Sequence, residues 1–286
     1  YRSGTRRVLH PPTRHAANPL VEPTEPWETA LAWNSIYHDP VSGRYQLWYQ
    51  SWLADDLGDR RYGCVVCYAE SDDGVHFHKP RFTQFPYGEH TETNIVLIGS
   101  GGYSYRYCCS VLVEPDEPDP ARRYRMAYFD WTETDAGQRP GLCVAFSPDG
   151  IHWTKHPETP LSPVHYGALG QDLPLMTQTD RPWTVPLSMS DGTDVFFDPV
   201  RKVYVWYGKM WLDGPEGHSA WKHAMGRTES SDFLNWSTPE LVCAPDDDDL
   251  PHVEFHTTPT FFHEGVYICL NQILDRAAGG GVIDVE

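Results

Sequence analysis

Short runs of β-forming residues, broken by Asp-Pro and Asp-Gly steps, set the rhythm of this chain. Val195-Phe196-Phe197 is a brief apolar run, Asp198 to Lys202 reads as a turn, and Val203-Tyr204-Val205-Trp206-Tyr207 reads as a second strand. The same unit recurs as Asn34 to Pro40 followed by Arg44 to Tyr49. It returns as Ser110 to Pro115 followed by Arg123 to Tyr128, and again from Thr260 to Leu270. After each of the first three units comes another β-rich run and then a turn: Ser71-Asp72-Asp73-Gly74, Ser147-Pro148-Asp149-Gly150 and Ser230-Ser231-Asp232-Phe233. The Asp-Gly step is a strong hairpin signal.

The spacing is regular. The central tyrosines Tyr45, Tyr124, Tyr204 and Tyr267 are separated by 79, 80 and 63 residues. Four short strands per unit, repeated with insertions between units, predicts a β-propeller rather than a sandwich. Helical periodicity does not alternate with the strands, which argues against a parallel α/β fold. Residues 1 to 27 carry Pro11, Pro12, Pro19, Pro23 and Pro26 and read as extended. The last unit reaches only Gly281 to Glu286, where its third strand belongs. Either further residues or the N-terminal segment completes it.

Composition narrows the function. The chain of 286 residues holds 40 Asp+Glu against 22 Lys+Arg, a formal charge of -18. Such a surface repels phosphate backbones and anionic lipid, so nucleic-acid and membrane roles are not expected. No apolar run approaches the ~20 residues that cross a bilayer. The chain opens on neither Met nor a signal-peptide h-region, so it reads as processed or as a fragment, with compartment and oligomeric state left open. Seven cysteines cannot all pair. Cys64 and Cys67, in C-V-V-C, lack a second ligand pair at zinc spacing and read as buried apolar thiols. The run Asp246 to Asp249 lacks the spaced ligands of a calcium loop and reads as a solvated loop. No metal or cofactor is expected. Eleven Trp and 16 Tyr suit both strand packing and the stacking of sugar rings.

The repeated strand, turn and aromatic strand, followed by S-x-D-G-x-H-W, resembles the five-bladed β-propeller glycoside hydrolases of families 32 and 43 over residues 27 to 286, with uncharacterised family 32-like members nearest. The resemblance implies an all-β propeller of four-stranded antiparallel blades, with blade repeats near 28–80, 103–156, 190–238 and 254–286. It also implies a carbohydrate substrate in a funnel at the axis. Three carboxylates, at the starts of the first three inner strands, would do the chemistry. One carboxyl must protonate the leaving oxygen while another attacks or activates water.

Matched to that pattern, the first blade start is Trp27-Glu28-Thr29-Ala30-Leu31. Ala30 stands where the family has its Asp, and Glu28 is the nearest substitute. The second is Arg106-Tyr107-Cys108, with Tyr107 in place of an acid. The third, Asp191-Gly192-Thr193-Asp194, keeps an acid at both marked places. The expectation is therefore a glycosidase acting on a furanoside or small oligosaccharide. Asp191 is its general acid and Glu28 or Glu254 its base or nucleophile, while Asp194, Trp33, Asn34, Arg106, Tyr107 and His256 contact sugar. Asp284 is a further acid near the expected funnel. His256 falls on the same side of an extended strand as Glu254. The missing acids leave two other readings: a non-catalytic carbohydrate-binding propeller, and a phosphorylase that works with one acid.

Overall fold

The computed structural model describes residues 8, 10, 11, 13–53, 57–101, 107–134, 137–163, 189, 191–212, 222–278 and 282–285. Among them the chain is all-β, with helix confined to three short 3-10 turns. The first sheet is β1 (Ala30–His38), β2 (Tyr45–Trp52), β3 (Cys64–Ser71) and β4 (Ile95–Leu97), in sequential antiparallel order. The second is β5 (Tyr107–Val113), β6 (Tyr124–Thr134), β7 (Gly137–Ser147) and β8 (Thr154–Lys155), with β9 (Ser162–Pro163) also on β7. The third is β10 (Asp194–Asp198), β11 (Val203–Leu212), β12 (Lys222–Ser230) and β13 (Glu240–Cys243).

The fourth unit is built differently from the expected strand beginning at Thr260. Its elements are β14 (Val253–Thr257), β15 (Thr260–His263), β16 (Val266–Cys269), β17 (Gln272–Asp275) and β18 (Val282–Val285). The pairing Val253↔Asp275 through Thr257↔Gln272 continues in register as Thr260↔Cys269 through His263↔Val266. One long hairpin therefore runs from Val253 to Asp275, interrupted around Pro259. Proline has no N–H to give the ladder, and its carbonyl accepts Leu270 N–H at 2.9 Å. The expected third strand is present as β18, which pairs with β17 and carries Asp284 opposite Ile273.

Alternation along the strands turns each sheet two ways. On β2, Trp48 faces the second sheet and packs with Tyr68, Met126, Tyr128 and Cys143. Leu47 and Tyr49 face the other way, toward Trp27, Val65, Cys67 and Ile95. Between the second and third sheets, Leu142 and Val144 meet Val195, Tyr204 and Trp206. Cys64 and Cys67 are both fully buried. The core thus lies between successive sheets.

The repeat residues earn their recurrence by joining neighbours. Tyr124 Oη donates to Gln46 of the preceding unit at 3.2 Å. Tyr204 donates to Glu114, and Tyr267 donates to Asp198 at 2.9 Å, each again one unit back. In the outer turns Asp73, Asp149 and Asp232 each accept two following backbone N–H groups and the Ser hydroxyl two residues before. These are Asx turns. The aspartates of the S-x-D motif therefore fold the chain and take no part in the site.

Candidate functional site

The first strands of successive units lie side by side, β1 against β5, β5 against β10, and β10 against β15. Adjacent first strands in this arrangement are laced by side chains instead of a continuous ladder. Ser35 Oγ donates to Cys109 O at 3.1 Å and accepts Val111 N–H at 3.0 Å. Ser110 Oγ donates to Val195 O at 3.1 Å and accepts Val195 N–H at 3.0 Å. At the next junction the same task falls to a carboxylate, with Asp194 Oδ2 accepting Thr260 N–H at 2.9 Å. Ser35, Ser110, Asp194 and Thr260 each stand four residues before a turn acid, namely Asp39, Glu114, Asp198 and Glu264. Asp194 is thus the acidic member of a hydroxyl series.

Where these strands converge they enclose a cavity of about 520 Å³. Its wall includes Trp33 and Asn34 from β1, Cys109 and Ser110 from β5, Asp194 from β10, His256 from β14 and Gln272 from β17. The volume falls within the range of small-ligand sites. Four of the sequence candidates, Trp33, Asn34, Asp194 and His256, are therefore brought to one place. Burial pushes the Asp194 carboxyl up to about 6, against the opposing effect of the Thr260 N–H. Burial also drives His256 down to about 4, helped by the nearby Lys209 charge, so the imidazole is neutral at physiological pH. His256 Nδ1 has no hydrogen-bond partner among the described residues. The Cys109 thiol, pushed up to about 12 by burial, is not a nucleophile here.

Behind this wall lies a charged cluster. Asp191 Oδ1 meets Lys209 Nζ at 2.5 Å, with both side chains largely buried. Gly192 adopts φ +82, and a Cβ there would meet Thr257 Cγ2 at 2.8 Å, so glycine is what lets the Asp191 turn pack against β14. Glu254 does not line the cavity. Its Oε2 lies 2.7 Å from His223 Nδ1 and accepts the His223 N–H at 3.0 Å, and Arg276 forks onto both carboxylate oxygens. Burial works against the Glu254 charge, yet these contacts hold it below the usual range. The His223 ring stands 5.8 Å from that of His256, edge to face. Among the described residues, Glu254 connects to the cavity wall through His223 and His256.

Glu28 stands apart from the cavity. Its side chain is fully buried against Lys79 Nζ at 2.5 Å. It also accepts Tyr49 Oη at 2.6 Å and the N–H groups of Thr24 and Glu25. Oε2 takes Lys79 and the two backbone N–H groups while Oε1 takes Tyr49, so both carboxylate oxygens are engaged in structural contacts. Ala30, the position matched to the family's acid, is the first residue of β1, whereas the cavity is lined from Ala32 onward. Arg106 lies outside the described residues. Tyr107 opens β5, and its side chain is not described. Lys209, His223, Gln272 and Ser110 escaped the sequence reading. Only the register of Ser35, Ser110 and Thr260 with Asp194 was available there to signal the lacing positions.

No protein-family model and no curated protein sequence matches this chain. Its fold is similar to that of an N-acetylgalactosamine deacetylase from F. plautii solved with blood group B trisaccharide. The TM-score is 0.51 at 19% identity, over 90% of this chain and 65% of that one. It is also similar to a Bombyx mori GH32 beta-fructofuranosidase solved with sucrose. There the TM-score is 0.51 at 15% identity, over 89% of this chain and 44% of that one. The chain therefore spans less than two thirds of the length of either structure. The likeness is one of fold: antiparallel four-stranded sheets in series, as in propeller glycoside hydrolases.

Proposed function

We propose that these sheets are blades of a five-bladed β-propeller that cleaves a glycosidic bond in a furanoside or small oligosaccharide, with Asp194 as proton donor to the leaving oxygen. The observation that carries this reading is a carboxyl group pushed up to about 6 in the wall of a sugar-sized cavity. An acid whose pKa approaches the working pH is poised to hand over its proton in the transition state. Asn34, Gln272 and neutral His256 supply hydrogen-bonding groups for hydroxyls around it. Asp191, fixed by Lys209 next to the same wall, is the candidate for the second acid. The sugar-bound neighbours are in keeping with a carbohydrate substrate.

A second reading has its own support. Among the described residues lining the cavity, Asp194 is the sole carboxylate. Phosphorolysis needs one acid: a phosphate oxygen bonds to the anomeric carbon, the glycosidic C–O bond breaks, and the departing oxygen takes the Asp194 proton.

The test is a panel of aryl glycosides and oligosaccharides, N-acetylated sugars included, run with and without inorganic phosphate on the unaltered chain and on Asp194→Asn. Turnover without phosphate that disappears in the variant supports hydrolysis. Turnover that requires phosphate transfers the assignment to phosphorolysis. Saccharide binding by calorimetry with no product leaves a binding propeller, and no binding at all removes the carbohydrate reading.

A further inference from the structure

We propose that Trp33 is the stacking platform for a sugar ring inside this cavity, presented by a left-handed bulge in β1 and backed by Trp52. The inference rests on the carbohydrate reading and assigns a subsite within it.

The pairing of β1 with β2 is regular on both sides of Trp33. Ala32 pairs with Gln50 and Asn34 with Tyr49, so Trp33 is the extra residue of a β-bulge. Bulges re-aim a side chain and recur beside functional sites. At φ +37, Trp33 occupies the left-handed region, which a bulky side chain rarely enters. Glycine or asparagine would fit that backbone without strain, yet the position carries the largest side chain available. The bulge is held from the next sheet. The Cys109 thiol donates to Trp33 O at 3.6 Å, and Ser35 ties β1 to β5 two residues on.

Trp33 is partly exposed and lines the cavity. Its ring lies 5.2 Å from that of Trp52 with the planes inclined at 58°. Trp52 therefore braces the platform. A sugar ring has one apolar C–H face and a polar rim. An aromatic wall takes the face, and a few fixed polar groups take the rim. Asn34, Asp194 and His256 line the same cavity, so a ring seated on Trp33 has hydrogen-bonding groups around it.

The experiment uses the full chain and the best saccharide from the panel above, with affinity by calorimetry and KM separated from kcat. Trp33→Gly removes the ring and relaxes the left-handed backbone, so folding is retained. Trp33→Asn is the alternative, since Asn also tolerates that region. Affinity should fall roughly tenfold or more in both, with KM rising and kcat changing far less. Trp33→Phe should restore most of the affinity. Wild-type affinity in Trp33→Gly or Trp33→Asn, while the unaltered chain binds sugar, overturns this subsite and leaves the carbohydrate reading standing. Failure of the unaltered chain to bind any saccharide overturns both.

Discussion

The Asp194 carboxylate accepts the Thr260 N–H at 2.9 Å across the junction of the third and fourth units. At the two preceding junctions Ser35 and Ser110 each donate to one backbone group and accept from another. An ionised carboxylate can only accept. Replacing the hydroxyl by an acid loses one half of the lacing and buries a group that resists ionisation. The departure from the repeat is therefore costly to the fold, and it sits in the wall of the cavity.

Asp194→Asn tests that cost together with the chemistry. Asp194 titrates near 6 when folded, against an ordinary value of 3.8. The folded protein keeps a proton that the unfolded chain releases over this interval. The group's stabilising contribution is therefore full below about pH 4 and is lost as pH rises through about 6. The Asn variant should be more stable than the unaltered chain at pH 7.5, by up to roughly 3 kcal/mol, with the gap closing near pH 4. Denaturant titrations at both pH values measure this. Turnover should fall by about 10²- to 10⁴-fold.

Glu28 and Lys79 should matter to stability alone. Glu28→Ala removes the carboxylate partner of a largely buried lysine and the acceptor of the Tyr49 hydroxyl proton. A loss of roughly 3 kcal/mol or more is expected in urea denaturation, with kcat and KM of the folded protein unchanged. A fall in kcat at unaltered stability would return Glu28 to the reaction.

Gly150→Ala should be among the most damaging single changes outside the site. Gly150 sits at φ +78, and a Cβ there would lie 2.6 Å from Trp48 Cζ2 and 3.1 Å from the Tyr124 ring. Strain and overpacking together predict a loss of roughly 2–4 kcal/mol. The matching residue of the third turn is Phe233, at φ +70, whose ring is fully buried against Tyr204. There the apolar burial outweighs the backbone strain. A thermal shift of only a degree for Gly150→Ala would refute the packing argument.

Lys209→Met should raise the pKa of His256 from its value of about 4. The Lys209 charge, second to burial, is one of the causes that depress it. Proton NMR titration of the His256 ring reads this directly. An unmoved or lowered value would mean that the Asp191–Lys209 pair does not act on the cavity wall.

The β-rich runs, the Asp-Pro and Asp-Gly turns and the spacing of Tyr45, Tyr124, Tyr204 and Tyr267 were enough to foresee serial antiparallel sheets. Strand alternation and turn chemistry are local properties, written in adjacent residues. The carboxylate of Asp194 was visible at its strand start too, although the sequence pointed to it as a sugar contact and to Asp191 as the general acid. What the chain alone could not decide was which carboxylates meet. Glu28 and Glu254 look as eligible as Asp194 in one dimension. Only the folded chain shows Lys79 and Tyr49 closing around the first, and His223 and Arg276 around the second. Those partners come from strands and loops distant in sequence, and desolvation depends on everything packed nearby. The same holds for Trp33, whose proposed role follows from one extra residue in the register of β1 and from a neighbouring sheet that holds it there.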